Sequence, residues 1–442
     1  MVDSLYFQFY LHEDHFERFE QVYDDRFAKR YGFFRPYVKR VIYRYLDCGI
    51  LHNGFARVRC KDCGHGYLLA FSCKRRHFCP SCHQKRVVEF GEWLCEKVLK
   101  AIPHRHFVFS IPKILRRYFL YDRKLLSELS RCAWEVLKEF FQEIVSEEDA
   151  VPGAVIAIHT FGDFLGWHLH LHVLCTDGCF YGNGPAGAGF RVAPVFELKH
   201  LEAIFRHKVF KMLLSKGKIT EDLIDMLMSW RHSGFNVFCG SRIQPDDETA
   251  MENLARYIIR ASFSQERMTY IPEESEVIYR SKDGKEEKVF DALEWLAAMC
   301  SHVPNKWEQM VRYYGFYSSV SRGKRKKEDN DELIPSILEQ DGSSKAFRRN
   351  WARLIQKIYE VDPLTCAKCQ GKMRIIAFIE DEEVINKILK HLGLWEVKAR
   401  PPPKATGPTK PPEYSIDYSV SQLPLSDDWH YVDPQHPETY DA

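Results

Sequence analysis

Three observations predict that this chain has an α+β fold. Apolar runs bounded by glycine, clearest over 153–180, indicate strands that pair with one another. Apolar residues recur at three-to-four spacing over 113–147 and indicate long helices between the strands. The length of 442 residues exceeds what one ordinary core supports, so two or three domains are expected.

The order of the elements separates five segments. Residues 1–45 combine aromatic and charged side chains at helical spacing, and residues 46–95 hold clustered cysteines. Strands and helices mix in 96–330, a second cysteine pair lies in 331–399, and the proline-rich and acidic end, 400–442, is expected to be disordered. From residue 96 onward the predicted elements are a strand at 106–112, a helix at 113–147, two strands within 153–180, helices at 197–216 and 220–231, a strand at 236–243, a helix at 245–263, a hairpin at 268–290, a helix at 291–302, a strand at 307–318 and a basic helix at 346–358.

Composition and charge exclude some classes of protein. No run of eighteen apolar residues occurs, so no membrane span is expected. The acidic start lacks the cationic region of a secretory signal. The net charge is only +2, but 57–86 carries eight Lys and Arg residues against one acid, Asp62. With the basic run 322–327, this region suits a polyanion, although solvated surface charge explains 322–327 alone equally well.

Two C-x-x-C pairs are separated by fifteen residues, which is the spacing of a zinc ribbon. Without a secretory signal, a reducing compartment is expected, where such pairs bind metal more often than they form disulfides. Four thiolates fill the coordination sphere of Zn²⁺, so the ion is expected to be structural. The predicted ligands are Cys60, Cys63, Cys79 and Cys82. The basic residues around them suit phosphate contacts; they are Lys74, Arg75, Arg76, Lys85 and Arg86.

Other residues near this block leave the ligand set open. A second ion or a different quartet is compatible with four further residues: Cys48, His52, Cys73 and His77. Far downstream, Cys366 and Cys369 form a C-x-x-C pair with no partner pair after it. That pair is equally compatible with metal binding and with a degenerate knuckle that holds no metal.

Histidines alternate with leucine at His168, His170 and His172, so the three imidazoles are expected on one face of a strand. With a turn at 164–167, His159 on the preceding strand would lie opposite His172. Imidazoles placed in this way can bind one divalent cation and leave positions open for a substrate. A purely structural histidine cluster is the alternative.

The helix predicted at 245–263 carries Tyr257 and Arg260 three residues apart. Their phenol and guanidinium would share a helix face and could contact one phosphate. Arg256 borders that face and is a further candidate for binding DNA. Taken alone, Tyr257 is one of 22 tyrosines and is better explained by core packing. Beside a metal-binding strand and a basic cysteine block, it is a candidate nucleophile.

In combination these features resemble the insertion sequence 91 type transposases, which are rolling-circle transposases of the HUH endonuclease class. The resemblance covers most of 45–395. It rests on the cysteine block at 54–86, the histidine hairpin at 157–180, the tyrosine segment at 232–272, and shorter segments at 312–327 and 362–381. It implies an N-terminal helical and zinc-binding module, followed by a nuclease domain in which helices flank a central antiparallel sheet. The tyrosine helix would point its phenol at the histidine strand.

Carried over to this chain, the resemblance places the HUH pair at His170 and His172, because VLCTDG follows them as in the family. His168 is then an extra histidine beside the site. His159 stands where the family often has glutamine, and it keeps its candidacy as the third metal ligand. Tyr257 falls on the catalytic tyrosine.

The founding pattern of the family has two tyrosines four residues apart. Asn253 and Ala261 occupy those positions around Tyr257, so this chain resembles the one-tyrosine version.

The resemblance implies an enzyme that nicks and rejoins single-stranded DNA through a 5′-phosphotyrosine on Tyr257. Mg²⁺ or Mn²⁺ on the histidines would draw charge from the phosphate, and Arg260 would stabilise it. The implied partners are single-stranded DNA at transposon ends and target DNA, with a homo-oligomer and host replication proteins compatible with that role. The implied location is the bacterial cytoplasm at the nucleoid, without a membrane partner.

Three alternatives stay open from the sequence. A plasmid rolling-circle replication initiator or relaxase would use the same chemistry in another role. A non-catalytic zinc-dependent DNA-binding protein would leave the histidine strand unexplained. A three-histidine zinc hydrolase would leave Tyr257 without a function.

Overall fold

The computed structural model describes residues 7–75, 78–145, 147, 149–182, 189–327 and 365–395. Arg76, His77, the predicted helix at 346–358 and the tail at 400–442 lie outside these residues. Helices and antiparallel sheets are mixed along the described chain, which confirms the α+β class.

The helices alternate with the strands in chain order. The helices are α1 (Phe7–Arg26), α2 (Ala28–Tyr31), α3 (Pro36–Leu46), α4 (Pro80–Trp93), α5 (Lys113–Tyr121), α6 (Leu125–Ile144), α7 (Lys199–Ser215), α8 (Glu221–Ser229), α9 (Glu248–Tyr257), α10 (Ala292–His302), α11 (Ser319–Lys327) and α12 (Glu382–His391). The strands are β1 (Phe55–Cys60), β2 (Gly66–Ala70), β3 (His104–Ser110), β4 (Gly153–Phe161), β5 (Trp167–Thr176), β6 (Gly178–Tyr181), β7 (Gly189–Val192), β8 (Asn236–Cys239), β9 (Met268–Ile271), β10 (Glu276–Arg280), β11 (Glu287–Asp291), β12 (Val311–Gly315) and β13 (Met373–Ile379). In the described segments, no helix has both the length and the apolar character needed to cross a bilayer.

The central sheet has five strands in the order β12-β4-β5-β3-β8, and every neighbouring pair is antiparallel. Side chains alternate between its two faces. On β5, Leu169, Leu171 and Val173 belong to the core formed with α5, α6 and α7. The opposite face carries the histidines and, through Leu174, packs against residues of α9. Helices therefore flank the sheet on both sides, and the histidine face is turned toward the tyrosine helix.

The two histidine-bearing strands pair in a register that differs from the predicted one. β4 and β5 are joined by residues 162–166, whereas the sequence predicted a turn at 164–167. His159 therefore lies opposite His170 and not His172. Two consecutive non-glycine residues of the connection have φ of 52° and 55°, so the chain turns earlier than predicted. The error is two residues, and because side chains alternate with a period of two, His159 stays on the histidine face.

A second core joins the N-terminal helices to the unit after the tyrosine helix. Buried residues of α1 and α3 pack with residues of β9, β10 and α10. The segment predicted as one hairpin at 268–290 forms three strands in the order β11-β10-β9. Arg35, just before α3, donates hydrogen bonds to the carbonyls of Val303 (2.5 Å) and Cys300 (2.6 Å) and fastens the two parts together.

The cysteine-rich segment and the C-terminal segment share one small sheet. Its strands lie in the order β13-β1-β2, with β1 antiparallel to both neighbours. The sequence assigned these strands to separate segments, 46–95 and 331–399. In the structure, the second segment completes the sheet of the first.

A buried ion-pair network lies at one end of the central sheet. This end is opposite to the connection between β4 and β5. Asp177, directly after β5, has a fully buried carboxylate that pairs with Arg105 of β3 at 2.9 Å and with Arg242 after β8. Arg242 also donates to the carbonyl of Ala193 at 3.2 Å. One buried charge therefore holds three chain segments together.

We expect Asp177→Asn to lower the free energy of unfolding by about 1–3 kcal/mol, because the buried side chain loses its charged contacts to two partly exposed guanidinium groups. Urea denaturation followed by tryptophan fluorescence measures the change. Asp149→Asn is the matched control, since the exposed Asp149 makes one hydrogen bond, to the N–H of Gly182 at 2.8 Å. Equal unfolding midpoints for the two variants would contradict the role assigned to Asp177.

Candidate metal and tyrosine site

Three buried histidines converge on the sheet face that points to α9. His159 from β4 and His170 and His172 from β5 have ligand nitrogens that all lie within 4.8 Å of one another. The Nε2 atoms of His170 and His172 are 3.2 Å apart. His168 lies beside this group, with its Nδ1 2.9 Å from Nδ1 of His170, and is not one of the three.

Backbone hydrogen bonds set the tautomers of His159 and His170 and leave one nitrogen of each ring facing the cluster. His159 donates through Nε2 to the carbonyl of Ile258 at 2.8 Å, and its buried Nδ1 has no hydrogen-bond partner among the residues that the structure describes. His170 donates through Nδ1 to the carbonyl of His168 at 3.0 Å, which leaves Nε2 as an acceptor. A carbonyl can only accept, so these bonds set the tautomers. Rings that donate outward and keep a lone pair inward have the arrangement of metal-ligating histidines.

The protonation states agree with a metal-binding role. Burial, together with nearby Arg260, lowers the pKa of His159 to about 3. Burial and the neighbouring histidines hold the pKa values of His170 and His172 well below their ordinary range. All three rings are therefore neutral at physiological pH, which is the form that binds a metal.

Tyr257 is the last residue of α9, at the edge of the histidine cluster. Its ring centroid lies 5.2 Å from that of His172, in an edge-to-face arrangement. The helix is shorter than the predicted 245–263, so Arg260 lies beyond its end. A final tight turn, in which the N–H of Arg260 donates to the carbonyl of Tyr257 at 3.1 Å, still brings the two together. The guanidinium carbon lies 4.5 Å from the centre of the Tyr257 ring.

The structure divides the predicted zinc quartet between two groups of cysteines. Cys79 and Cys82 lie with Cys48 and Cys73, whereas Cys60 and Cys63 lie with the distant pair Cys366 and Cys369. The prediction of one site from Cys60, Cys63, Cys79 and Cys82 is therefore wrong in its grouping. The reason is that β13 pairs with β1, and this pairing brings the C-terminal cysteines next to Cys60. His52 belongs to neither group and packs against Trp395 with a ring-centroid distance of 4.8 Å.

Comparisons with known proteins agree with these sites. A family model described as "Transposase zinc-binding domain" matches residues 16–111, and one described as "Putative transposase" matches residues 153–325. The chain is 23% identical over 375 residues to "Transposase for insertion sequence element IS801" of Pseudomonas savastanoi pv. phaseolicola, covering 79% of this chain and 85% of that protein. It is 25% identical over 348 residues to "Putative transposase y4qJ" of Sinorhizobium fredii, covering 73% and 84%. No solved structure matches the chain significantly.

The chain belongs to the insertion sequence 91 type transposases.

The zinc-binding family model and the two cysteine groups together support Zn²⁺ as a cofactor of this transposase.

The basic residues that the sequence predicted as DNA contacts differ in exposure. Their exposure matters because a transposase acts on DNA. Lys74 is exposed, while Lys85 and Arg86 on α4 are half-buried, Arg86 lying 6.0 Å above the Phe90 ring. Arg256 is bound by Glu252 at 2.5 Å on its own helix.

His106 is a residue of the site that the sequence interpretation missed. It lies on β3, and its Nε2 is 2.9 Å from Nδ1 of His172. When Nδ1 of His172 donates this bond, its Nε2 is left as an acceptor that faces the other two ligands. Alternation along β3 does not reveal it from the sequence, because only the pairing with β5, which sets His106 opposite Leu174, two residues from His172, brings it to the histidine face.

We expect His106→Ala to weaken Mn²⁺ binding to the transposase by about 10–100-fold, since His172 loses the bond that orients its ring. Isothermal titration calorimetry measures the affinity. His106→Gln, which keeps an acceptor oxygen, is expected to recover part of it. His200→Ala, which removes an exposed histidine on α7, is the control. Unchanged affinity in His106→Ala would show that the contact with His172 does not position a ligand.

Proposed function

We propose that this transposase cuts and rejoins single-stranded DNA by a metal-dependent transesterification in which Tyr257 is the nucleophile. One observation carries the proposal: the ring nitrogens of three neutral, buried imidazoles converge within 4.8 Å of one another beside the Tyr257 ring. A structural histidine cluster would satisfy every one of its inward nitrogens, because unsatisfied buried polar atoms are costly. His159 keeps such an atom at its Nδ1.

The proposed ligands of the catalytic ion are His159, His170 and His172. A divalent cation bound there would draw charge from the scissile phosphate. Three protein ligands leave coordination positions for phosphate oxygens. Imidazole nitrogen suits Mn²⁺ better than Mg²⁺, so we expect Mn²⁺ to support the reaction better in vitro.

In the proposed step, the phenol oxygen of Tyr257 forms a bond to phosphorus and the bond from phosphorus to the 3′ oxygen breaks. The phenol loses its proton and the departing 3′ oxygen gains one, which gives a 5′-phosphotyrosine and a free 3′-hydroxyl. The phosphodiester is exchanged rather than hydrolysed. A 3′-hydroxyl can therefore reverse the step and rejoin strands without another energy source.

Arg260 is placed to stabilise this exchange. Its guanidinium lies against the Tyr257 ring and 5.6 Å above the Phe161 ring, which keeps the cation at the edge of the cluster. A guanidinium can donate two hydrogen bonds to a phosphate and offset the charge that develops on it. Arg256 is the weaker candidate for a DNA contact, because Glu252 already binds it.

The proposed path of the DNA follows α4 and α11. Helix α4 packs directly on α9, and Gly91 makes the close approach: a Cβ there would lie 3.1 Å from Cγ of Arg256. On α11, Arg322 packs over the rings of Trp93 (5.4 Å) and Tyr313 (5.1 Å), next to the end of α4. Arg322 therefore lies beside α4, which itself packs on the tyrosine helix, and a cation in that position suits a phosphate backbone.

A single nucleophile limits each chain to one covalent DNA end at a time. In the described residues of α9 there is no second tyrosine four positions from Tyr257. Two cleavages then require either reuse of Tyr257 after strand transfer or a second copy of the chain.

The test is formation of a covalent adduct by the purified full chain. Labelled single-stranded oligonucleotides that tile the DNA on both sides of the coding sequence are incubated with Mn²⁺, with Mg²⁺ or with a chelator, and then run on denaturing gels. We expect a protein–DNA band that requires a divalent ion and carries the DNA fragment 3′ of the break, joined to the protein through its 5′ phosphate. If DNA binds without any covalent band, the protein is a zinc-dependent DNA-binding protein and the proposal is wrong.

A further inference from the structure

The C-terminal C-x-x-C pair has the same backbone geometry as the first pair of the cysteine block. The N–H of Cys60 donates to the carbonyl of His65 at 2.7 Å, and the N–H of Cys366 donates to the carbonyl of Gly371 at 2.9 Å. Each bond spans five residues and closes a tight loop around the pair. The residue after the second cysteine has a positive φ in both loops, 73° at Gly64 and 59° at Gln370.

The two cysteine loops face each other, and their four sulfurs form a site for one ion. The Sγ atoms of Cys60 and Cys369 are 3.5 Å apart, and those of Cys63 and Cys366 are 3.6 Å apart. A tetrahedron with Zn–S bonds of about 2.3 Å has sulfur–sulfur edges of roughly 3.8 Å. A disulfide would need about 2.05 Å. The four sulfurs thus have the spacing of thiolates around a metal and not that of bonded pairs.

We propose that Cys60, Cys63, Cys366 and Cys369 bind a structural Zn²⁺ that joins the cysteine block to the C-terminal segment 365–395. This ion is separate from the one held by the group of Cys48, Cys73, Cys79 and Cys82. Cys366 and Cys369 lie outside residues 16–111, the range matched by the zinc-binding family model. The two cysteine pairs that would bind this ion lie far apart in the sequence, since Cys63 and Cys366 are separated by 303 positions.

The contacts that attach the segment 365–395 to the cysteine block are small. Among the described residues, its buried side chains pack in two small clusters with that block, one around Val58 and Met373 and one around Phe55 and Leu389. The pairing of β1 with β13 also sets two exposed arginines, Arg59 and Arg374, opposite each other. Like charges in that position oppose pairing, so the sheet alone is a weak attachment.

The first test counts zinc in the full chain by mass spectrometry after purification in reducing buffer. We expect Cys366→Ser/Cys369→Ser to lose one Zn²⁺ per chain relative to wild type. Cys60→Ser/Cys63→Ser is expected to lose one as well, and the combined fourfold variant is expected to lose no more than one. The matched control is Cys95→Ser/Cys239→Ser, which changes two half-buried cysteines outside both groups and is expected to lose none.

A further combination separates the proposal from a single zinc ribbon. Serine at Cys60, Cys63, Cys79 and Cys82 together is expected to remove two ions, because these residues belong to two sites. A single ribbon would lose one ion in that variant and none in Cys366→Ser/Cys369→Ser. Either of those two results would overturn the proposal.

The second test uses the wild-type chain and does not depend on whether a variant folds. Cys63 and Cys369 are exposed residues, so without a bound metal iodoacetamide can reach and alkylate both. We expect both to resist alkylation in the zinc-loaded protein and to become reactive together as a chelator removes one equivalent of zinc. Rapid alkylation of Cys369 in the fully loaded protein would show that it is not a ligand.

Discussion

Replacing Tyr257 with phenylalanine is expected to abolish the covalent adduct between the transposase and DNA. Phenylalanine keeps the ring that packs 5.2 Å from His172 and under Arg260 but lacks the oxygen that bonds to phosphorus. Loss of an enzyme nucleophile lowers turnover on the order of 10⁶-fold, so strand cleavage should fall below detection. Denaturing gels with labelled single-stranded DNA and Mn²⁺ measure both products.

Two controls make this result specific. Tyr181→Phe removes the hydroxyl of another half-buried tyrosine, on β6, and is expected to form the adduct at the wild-type level. Mn²⁺ affinity should be unchanged in Tyr257→Phe, because the three proposed ligands are intact. An adduct of wild-type yield in Tyr257→Phe would mean that another residue attacks the phosphate.

The double variant His170→Ala/His172→Ala is expected to lose the catalytic ion and, with it, DNA cleavage. Two of the three inward nitrogens disappear, and a single imidazole cannot retain a divalent cation at micromolar concentration. Charge stabilisation by a metal contributes several kcal/mol to such reactions, which corresponds to a loss on the order of 10³-fold in rate. Calorimetry with Mn²⁺ and the adduct assay measure the two effects separately.

The neighbouring histidine provides the matched control for this variant. His168→Gln changes the same strand and the same face, but the bond from Nδ1 of His170 to the backbone carbonyl of residue 168 stays in place. We therefore expect near-wild-type metal binding and cleavage. The zinc content should be equal in all three proteins, since the cysteine groups are untouched. If His168→Gln were as damaging as the double variant, the three histidines would act as one structural cluster.

The residues of the proposed site were predictable because their signals are local. Alternation along β5 identifies the shared face of His170 and His172 without any knowledge of their neighbours. The same reasoning kept His159 on that face despite an error of two residues in register. His106 escaped notice because its partner lies on a neighbouring strand, so the sequence spacing between His106 and His172 carries no signal.

The cysteines show where local reasoning fails. C-x-x-C spacing correctly marks each pair as a candidate zinc loop, since the two thiolates of a pair must be close in sequence to share a turn. Which pairs share an ion depends on strand pairing, and β13 reaches β1 across about three hundred residues. The nearest pair in sequence, Cys79 and Cys82, instead starts α4 and faces Cys48 and Cys73.

By itself, the sequence determined the α+β class, the histidine face and the cysteines that can bind zinc, whereas the tyrosine beside that face was implied by the resemblance to a family. These properties depend on side-chain periodicity and on spacings of a few residues, which the backbone geometry of strands, helices and turns converts directly into position. Only the tertiary structure decided the register of β4 on β5, the orientation of His172 by His106, the end of α9 before Arg260 and the grouping of the cysteines. Those depend on which distant segments pack together, and packing is a property of the whole chain.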